Sequence, residues 1–370
     1  MIISFLYYSI IVINAFAFLS GKKIKLISIP SAVFLILFVM GKRFEDNFIA
    51  YDLRNYQRAF EDVANFNTLE LGYKSLNVIG NAIGLTFEQF YMIVVALTMT
   101  TMLLAVKRIG GNLHLFIMSW LIYFVLISMD QLRNQAALAI MMIAMLPFMS
   151  SKKKSLRWEM IVIGIATLFH VSFIIFLIPL YLTYKKDFSF AMKWIFACLL
   201  IYFGLMVTSA SQVLNSIINS FVVAFENTDK YEGYVSSHTS LSSLFSLGIY
   251  VISLLGLYLH MERNKIFMGE KNKYVYENIR MFFMFLVFSS ILLSFLLVNA
   301  AFYRYIRDLS FITIAYIGIN SNMKRTTFPK RLLTLSVTLL ISCGWLFFDI
   351  VIKGYIFDYT HYFFNNTILK

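Results

Sequence analysis

A chain of 370 residues that is 60% hydrophobic and only 14% charged, with a mean hydropathy of +0.75, is too apolar for a soluble enzyme, a disordered chain or a disulfide scaffold. Soluble domains run near 45–50% apolar and 25% charged; at roughly 20 residues per crossing, this chain has apolar residues for about ten to twelve membrane spans. Its net charge of +13 could suggest a nucleic-acid binder, but in a membrane chain such an excess marks cytoplasmic loops facing anionic lipid, so membrane lipids and no nucleic acid are the expected partners.

Apolar runs fall at 2–20, 26–40, 90–106, 113–129, 136–150, 159–183, 194–209, 243–260, 281–299, 308–320 and 332–352. The segment Met1-Ile2-Ile3-Ser4-Phe5 lacks the basic region of a cleaved signal peptide, so the first run is expected to stay as a helix. Cys198 and Cys343 both sit inside apolar runs and read as small buried hydrophobes.

The segments between the runs divide by charge. Segments 21–25, 107–112, 151–159, 184–193, 261–280 and 321–331 hold 21 Lys/Arg and 5 Asp/Glu. Segments 41–89, 130–135, 210–242, 300–308 and 349–370 hold 11 and 14. The Lys/Arg bias places the first set in the cytoplasm. No charge is left for the middle of a span, where it would be costly.

Run 159–183 breaks the alternation, because Lys152, Lys153, Lys154 and Arg157 precede it and Lys185 and Lys186 follow it. Two short helices hinged near His170, or a re-entrant pair buried in protein, would satisfy both flanks. A single tilted span is the alternative. The expected fold is all-α: one integral membrane domain over 1–370, about ten full spans plus one broken or re-entrant helix pair, and amphipathic helices in the outer loops 41–89 and 210–242. In the first loop Ile49, Leu53, Tyr56, Phe60 and Val63 share a helix face, and a second helix carries Tyr73, Leu76 and Ile79. In the second loop Leu214, Ile217, Ile218, Phe221 and Phe225 repeat the pattern.

The informative charges are outer-face arginines at span ends. Arg133 lies in the hinge Asp130-Gln131-Leu132-Arg133-Asn134-Gln135, Arg304 and Arg307 in Phe302-Tyr303-Arg304-Tyr305-Ile306-Arg307-Asp308, and Arg43 opens the first long loop. Positive charge there opposes the topogenic bias. A guanidinium fork suits two oxygens of a phosphate or diphosphate; headgroup anchoring, or pairing with Asp130 or Asp308, is the competing use. His170, in Leu168-Phe169-His170-Val171-Ser172, could take a proton from a sugar hydroxyl, or simply hydrogen-bond a neighbouring helix. Asp52, four residues before Tyr56, and Glu70, three before Tyr73, set carboxylates beside rings, which suits carbohydrate binding and equally a solvated helix face. The aromatic cluster Tyr355, Phe357, Tyr359, Tyr362, Phe363 and Phe364 reads as an interfacial belt. No Walker loop, GxGxxG, DxD, HExxH or His/Cys metal cluster occurs, so no cofactor and no metal is expected.

Taken in order, Arg43, the stretch Asp52, Tyr56 and Phe60, the motif Glu70-Leu71-Gly72-Tyr73, the Arg133-Asn134-Gln135-Ala136-Ala137 hinge, the pair Phe169-His170 between basic flanks, and the late Arg304-Tyr305 hinge resemble the EpsG-like branch of the Wzy-type polysaccharide polymerases. The resemblance implies a multi-pass, metal-independent glycosyltransferase of the bacterial cytoplasmic (inner) membrane, with its site facing the periplasm or exterior. Its substrate would be an oligosaccharide repeat unit linked to undecaprenyl diphosphate. Its product would be O-antigen, capsule or exopolysaccharide, and a chain-length regulator protein is a further expected partner. Arg133 and Arg304 would hold the leaving diphosphate with help from Arg307, and His170 would be the base ahead of Asp52 or Glu70. Arg43, Asp52, Tyr56, Glu70, Tyr73 and Tyr303 would line the substrate. A lipid-linked oligosaccharide flippase, an O-antigen ligase, and a membrane acyltransferase or transporter stay open as other classes.

Overall fold

Inside a bilayer the backbone has no water to bond, so an apolar segment must satisfy its own N–H and C=O groups, which a helix does. The computed structural model describes residues 2–21, 24–41, 51–63, 70–146, 156–208, 240–266, 270–297, 302–319, 327–352, 366, 368 and 369, and among them there are helices and no β-strand. Arg43, most of the loop 210–242 and the aromatic cluster at 355–364 lie outside the described residues.

In chain order the helices are α1 (Ile2–Ser20), α2 (Lys25–Met40), α3 (Tyr51–Glu61), α4 (Leu71–Ala82), α5 (Phe87–Arg108), α6 (Leu113–Ser119) and α7 (Val125–Asp130), α8 (Leu132–Ala144), α9 (Leu156–Thr167), α10 (Leu177–Lys185), α11 (Phe188–Val207), α12 (Ser240–Ile266), α13 (Glu270–Phe288), α14 (Ile291–Leu296), α15 (Tyr303–Ile317) and α16 (Phe328–Phe347). A π-helical turn, Trp120–Phe124, joins α6 to α7, and another, Phe348–Ile352, ends α16.

Six stretches are long and apolar enough to cross a membrane: Ile2–Ser20, Phe87–Arg108, Phe188–Val207, Leu241–Glu262, Val275–Leu296 and Phe328–Ile352. Lys25–Met40, Leu113–Phe124, Leu132–Ala144 and Val171–Lys185 are apolar but shorter. Where about ten full spans were expected, the described residues thus give six of full length. The short ones fall below the roughly 20 residues needed for about 30 Å of hydrocarbon.

The chain divides into two compact units, Met1–Ile174 with Ile314–Lys370, and Ile175–Thr313. In the first unit, the Tyr91 hydroxyl near the start of α5 donates to the carbonyls of Val39 and Met129, tying the ends of α2 and α7 together. At the far end of α5, about 26 Å from Tyr91 by helix rise, Gly111 and Asn112 approach Ala315 and Gly318 so closely that a Cβ on either glycine would meet backbone at 2.9 Å. There Tyr316 donates to the Met145 carbonyl. Arg331 donates to the Leu19 carbonyl, joining the ends of α1 and α16 on the side where both flank basic segments. The ends of α2 and α7 thus lie with the start of α5, and residues 111–112 lie beside 315–318 at its other end.

Between the ends, buried polar side chains satisfy one another as helices packed in lipid require. His114 Nδ1 meets Asn14 Oδ1, whose amide donates to Ser31. Ser119 pairs with Ser342, and Tyr123 in one π turn donates to Asp349 in the other. In the second unit α13 is central: Phe282 through Phe288 are all buried. They pack on Phe176, Phe188 and Trp194.

Candidate functional site

Helix α3 turns inward three residues of the face expected of it, Leu53, Tyr56 and Phe60, with Ala59; Val63, just past its end, is half-buried, and Ile49 lies outside the described residues. Helix α4 departs from expectation. Tyr73, Asn77 and Gly80 face inward, while Ile79 is 56% exposed beside outward Leu71, Val78 and Ile83. The reason is steric. A Cβ at position 80 would lie 2.9 Å from both Phe60 and Phe90, so only a glycine lets α4 come this close to α3 and α5. The Asn81 amide donates to the Phe60 carbonyl at 2.7 Å and closes the pair.

The expected break at His170 is present. Helix α9 stops at Thr167, residues 168–170 turn, and the chain resumes as a 3₁₀ turn, Val171–Phe176, before α10. Pro179, in the first turn of α10, has no N–H to bond back to residue 175 and so disfavours an α-helix running into it. The break leaves the Leu168 carbonyl open, and the N–H of Gly72, in the first turn of α4, donates to it at 2.7 Å. Each is an orphan group of a helix end, and they satisfy one another.

That bond sets Glu70 beside His170. Glu70 stands at the N-cap position of α4, yet its carboxylate caps nothing. One oxygen, Oε2, accepts from Arg133 Nη1 at 2.5 Å, and the other, Oε1, faces His170 Nδ1 at 3.3 Å. Arg133 Nε donates to the Tyr56 hydroxyl at 3.4 Å, and the guanidinium carbon lies 5.3 Å from the centre of that ring. The Tyr56 ring packs against Tyr73 at 5.5 Å. Arg133 is placed by the first turn of α8, a helix whose small residues Ala136, Ala137 and Ala139 are buried and allow close packing. Gln135, on the same turn, donates to Thr98 of α5 and fixes its rotation.

The electrostatics follow from this geometry. Burial opposes charge on Glu70, but the hydrogen bond from His170 and the positive charge of Arg133 outweigh it and hold the carboxyl at about 2. Burial pushes the Tyr56 phenol well above its ordinary range, with Arg133 pulling the other way and Asp52 adding to the rise. The guanidinium has five N–H donors, of which two are committed among the described residues, and its side chain is 19% exposed. His170 uses Nδ1, and its Nε2 bonds to none of the described residues. The arrangement can receive an anion at Arg133 and a proton at His170. No group of three or more His, Cys, Asp or Glu able to hold a metal ion occurs among the described residues.

Five of the expected site residues, Tyr56, Glu70, Tyr73, Arg133 and His170, thus meet in the first unit. Asp52 lies one turn from Tyr56 on α3, half-buried. Arg304, Arg307 and Tyr303 open α15 in the second unit. There Arg307 is 1% exposed, 3.6 Å from Asp308 and 5.5 Å from the Tyr303 ring, whereas Arg304 is half-buried. Sequence reasoning missed Gly72 as the backbone clamp, although its place in Glu70-Leu71-Gly72-Tyr73 was visible. It also missed Asp349, counted with an outer segment but buried against Tyr123.

No curated protein and no solved structure matches this chain. The family model described as the EpsG family matches residues 26–364, which takes in α3 through α16, all of α2 but its first residue, and every residue of the cluster. This membrane-spanning chain belongs to the EpsG family.

Proposed function

We propose that the chain is a glycosyltransferase that joins oligosaccharide repeat units carried on undecaprenyl diphosphate, working at the outer face of the bacterial cytoplasmic membrane to build an O-antigen, capsule or exopolysaccharide. The observation that carries this reading is the meeting of Arg133 and His170 on Glu70. An anion receiver and a base are the two groups a transfer from a diphosphate demands. The acceptor hydroxyl oxygen bonds to the anomeric carbon of the donor sugar while its proton passes to His170 Nε2. The bond from that carbon to the diphosphate oxygen breaks, and its electron pair leaves with the diphosphate. Arg133 meets the developing charge, aided by the positive end of α8.

The test is a chromosomal Arg133→Ala or His170→Ala variant, scored by the length of the surface polysaccharide. Single repeat units in place of polymer are expected, with normal amounts of protein in the membrane. Polymer of normal length in either variant overturns the assigned role. A finished polymer stranded on the carrier lipid would identify a ligase, and repeat units trapped inside the cell a flippase.

A further inference from the structure

Glu70 holds Arg133 and His170 at once, one carboxylate oxygen to each, and its side chain is 12% exposed. Both oxygens are engaged, so it is poorly placed to accept from a sugar hydroxyl. It is also fixed from behind, because Gly72, two residues on, is bonded to Leu168, two residues before His170. Among the described residues, the other charged or titratable groups around the cluster are Asp52 and Tyr56 on α3, Tyr73 on α4 and Asp130 at the end of α7.

The geometry points to Glu70 as a positioning residue that couples occupation of Arg133 by a diphosphate to the basicity of His170, an inference that rests on the roles proposed above for those two. In the empty site the carboxylate shares its charge between the guanidinium and the imidazole. A diphosphate competes for the guanidinium and draws it away. The carboxylate then faces His170 more fully, holds the proton on Nδ1, and leaves Nε2 as the stronger acceptor. The base is strengthened when the leaving group is in place. Such linkage is reciprocal.

Removing the charge of Glu70 while keeping its shape should therefore act with opposite signs on two measurements. Arg133, freed from competition, binds diphosphate more tightly, yet transfer slows because His170 loses its orienting partner. A merely structural role would weaken binding and transfer together, and direct contact with a sugar would leave diphosphate affinity unchanged.

The experiment measures binding of farnesyl diphosphate to the full-length protein in detergent, beside polymer length in cells, for wild type, Glu70→Gln, Glu70→Asp and Arg133→Ala. Glu70→Gln is expected to bind roughly fivefold more tightly and to make little or no polymer. Glu70→Asp should keep near-wild-type affinity and recover part of the polymer. Equal or weaker binding by Glu70→Gln, or polymer of normal length, overturns the coupling. Wild-type binding that is absent, or unaffected by Arg133→Ala, sinks the diphosphate reading itself.

Discussion

Gly72 donates its backbone N–H to the Leu168 carbonyl across 2.7 Å, and a Cβ at position 72 would lie 2.8 Å from that same oxygen. The contact joins the first turn of α4 to the break that carries His170, so it fixes the spacing of Glu70 and His170 through backbone alone. Alanine is the better helix former by about 1 kcal/mol. If α4 mattered only as a helix, Gly72→Ala would be neutral or favourable. The close approach predicts the reverse, with polymer sharply reduced and the amount of membrane protein little changed. Immunoblotting and polysaccharide gels from one culture decide the point.

Glu70 should also make the docking of α4 sensitive to acid, in a direction set by its depressed pKa. A carboxyl held at about 2 contributes stability that is fully present above its ordinary value of 4.5 and is lost as pH falls toward 2. A depression of that size corresponds to about 3 kcal/mol. Protection of the α4 amides from hydrogen exchange, relative to their intrinsic rates, should be full above about pH 5 and fall away between 4.5 and 2. In Glu70→Gln the amides should exchange faster throughout and show no such step.

Much of this cluster could be read from sequence because it rests on signals with a short range. An arginine inside a hinge on the acidic side, a break forced by basic flanks on both sides of one apolar run, and the apolar period of α3 each lie within a few turns of chain. The face of α4 could not be read in that way. Counting apolar residues favoured Leu76 and Ile79, but the packing is decided by Gly80, whose missing side chain admits Phe60 and Phe90. Asp349 was hidden for a similar reason, since its partner Tyr123 belongs to a distant π turn. Of the apolar runs, six appear among the described residues as helices of full spanning length, and others as shorter apolar helices.

Arg304 and Arg307 looked alike in sequence, and the structure separates them. Arg307 and Asp308 are each 1% exposed and 3.6 Å apart. Removing one partner of a buried pair strands the other and costs about 3–5 kcal/mol. Arg307→Ala should therefore lower the amount of folded protein, and Asp308→Asn made with it should recover part of the loss. Arg304 is half-buried, and Arg304→Ala is expected to leave the protein level unchanged. Membrane protein levels and the detergent melting temperature of each variant distinguish the two.

Tyr56 supports Arg133 in two ways, with a hydroxyl that accepts from Nε at 3.4 Å and a ring packed on Tyr73. Tyr56→Phe keeps the ring and removes the acceptor. A hydrogen bond to a charged group is worth about 1.5–3 kcal/mol, and at 3.4 Å this one belongs at the weak end. The expected result is polymer that is shortened but present, with unchanged protein level. Burial raises the phenol far above its ordinary range, so it stays protonated through physiological pH and does not serve as a base. The pH dependence of polymer formation should then overlay in wild type and Tyr56→Phe. Abolished polymer, or a profile that loses its alkaline limb in Tyr56→Phe, would transfer the base role from His170 to Tyr56 and leave Arg133 leaning on Glu70 alone.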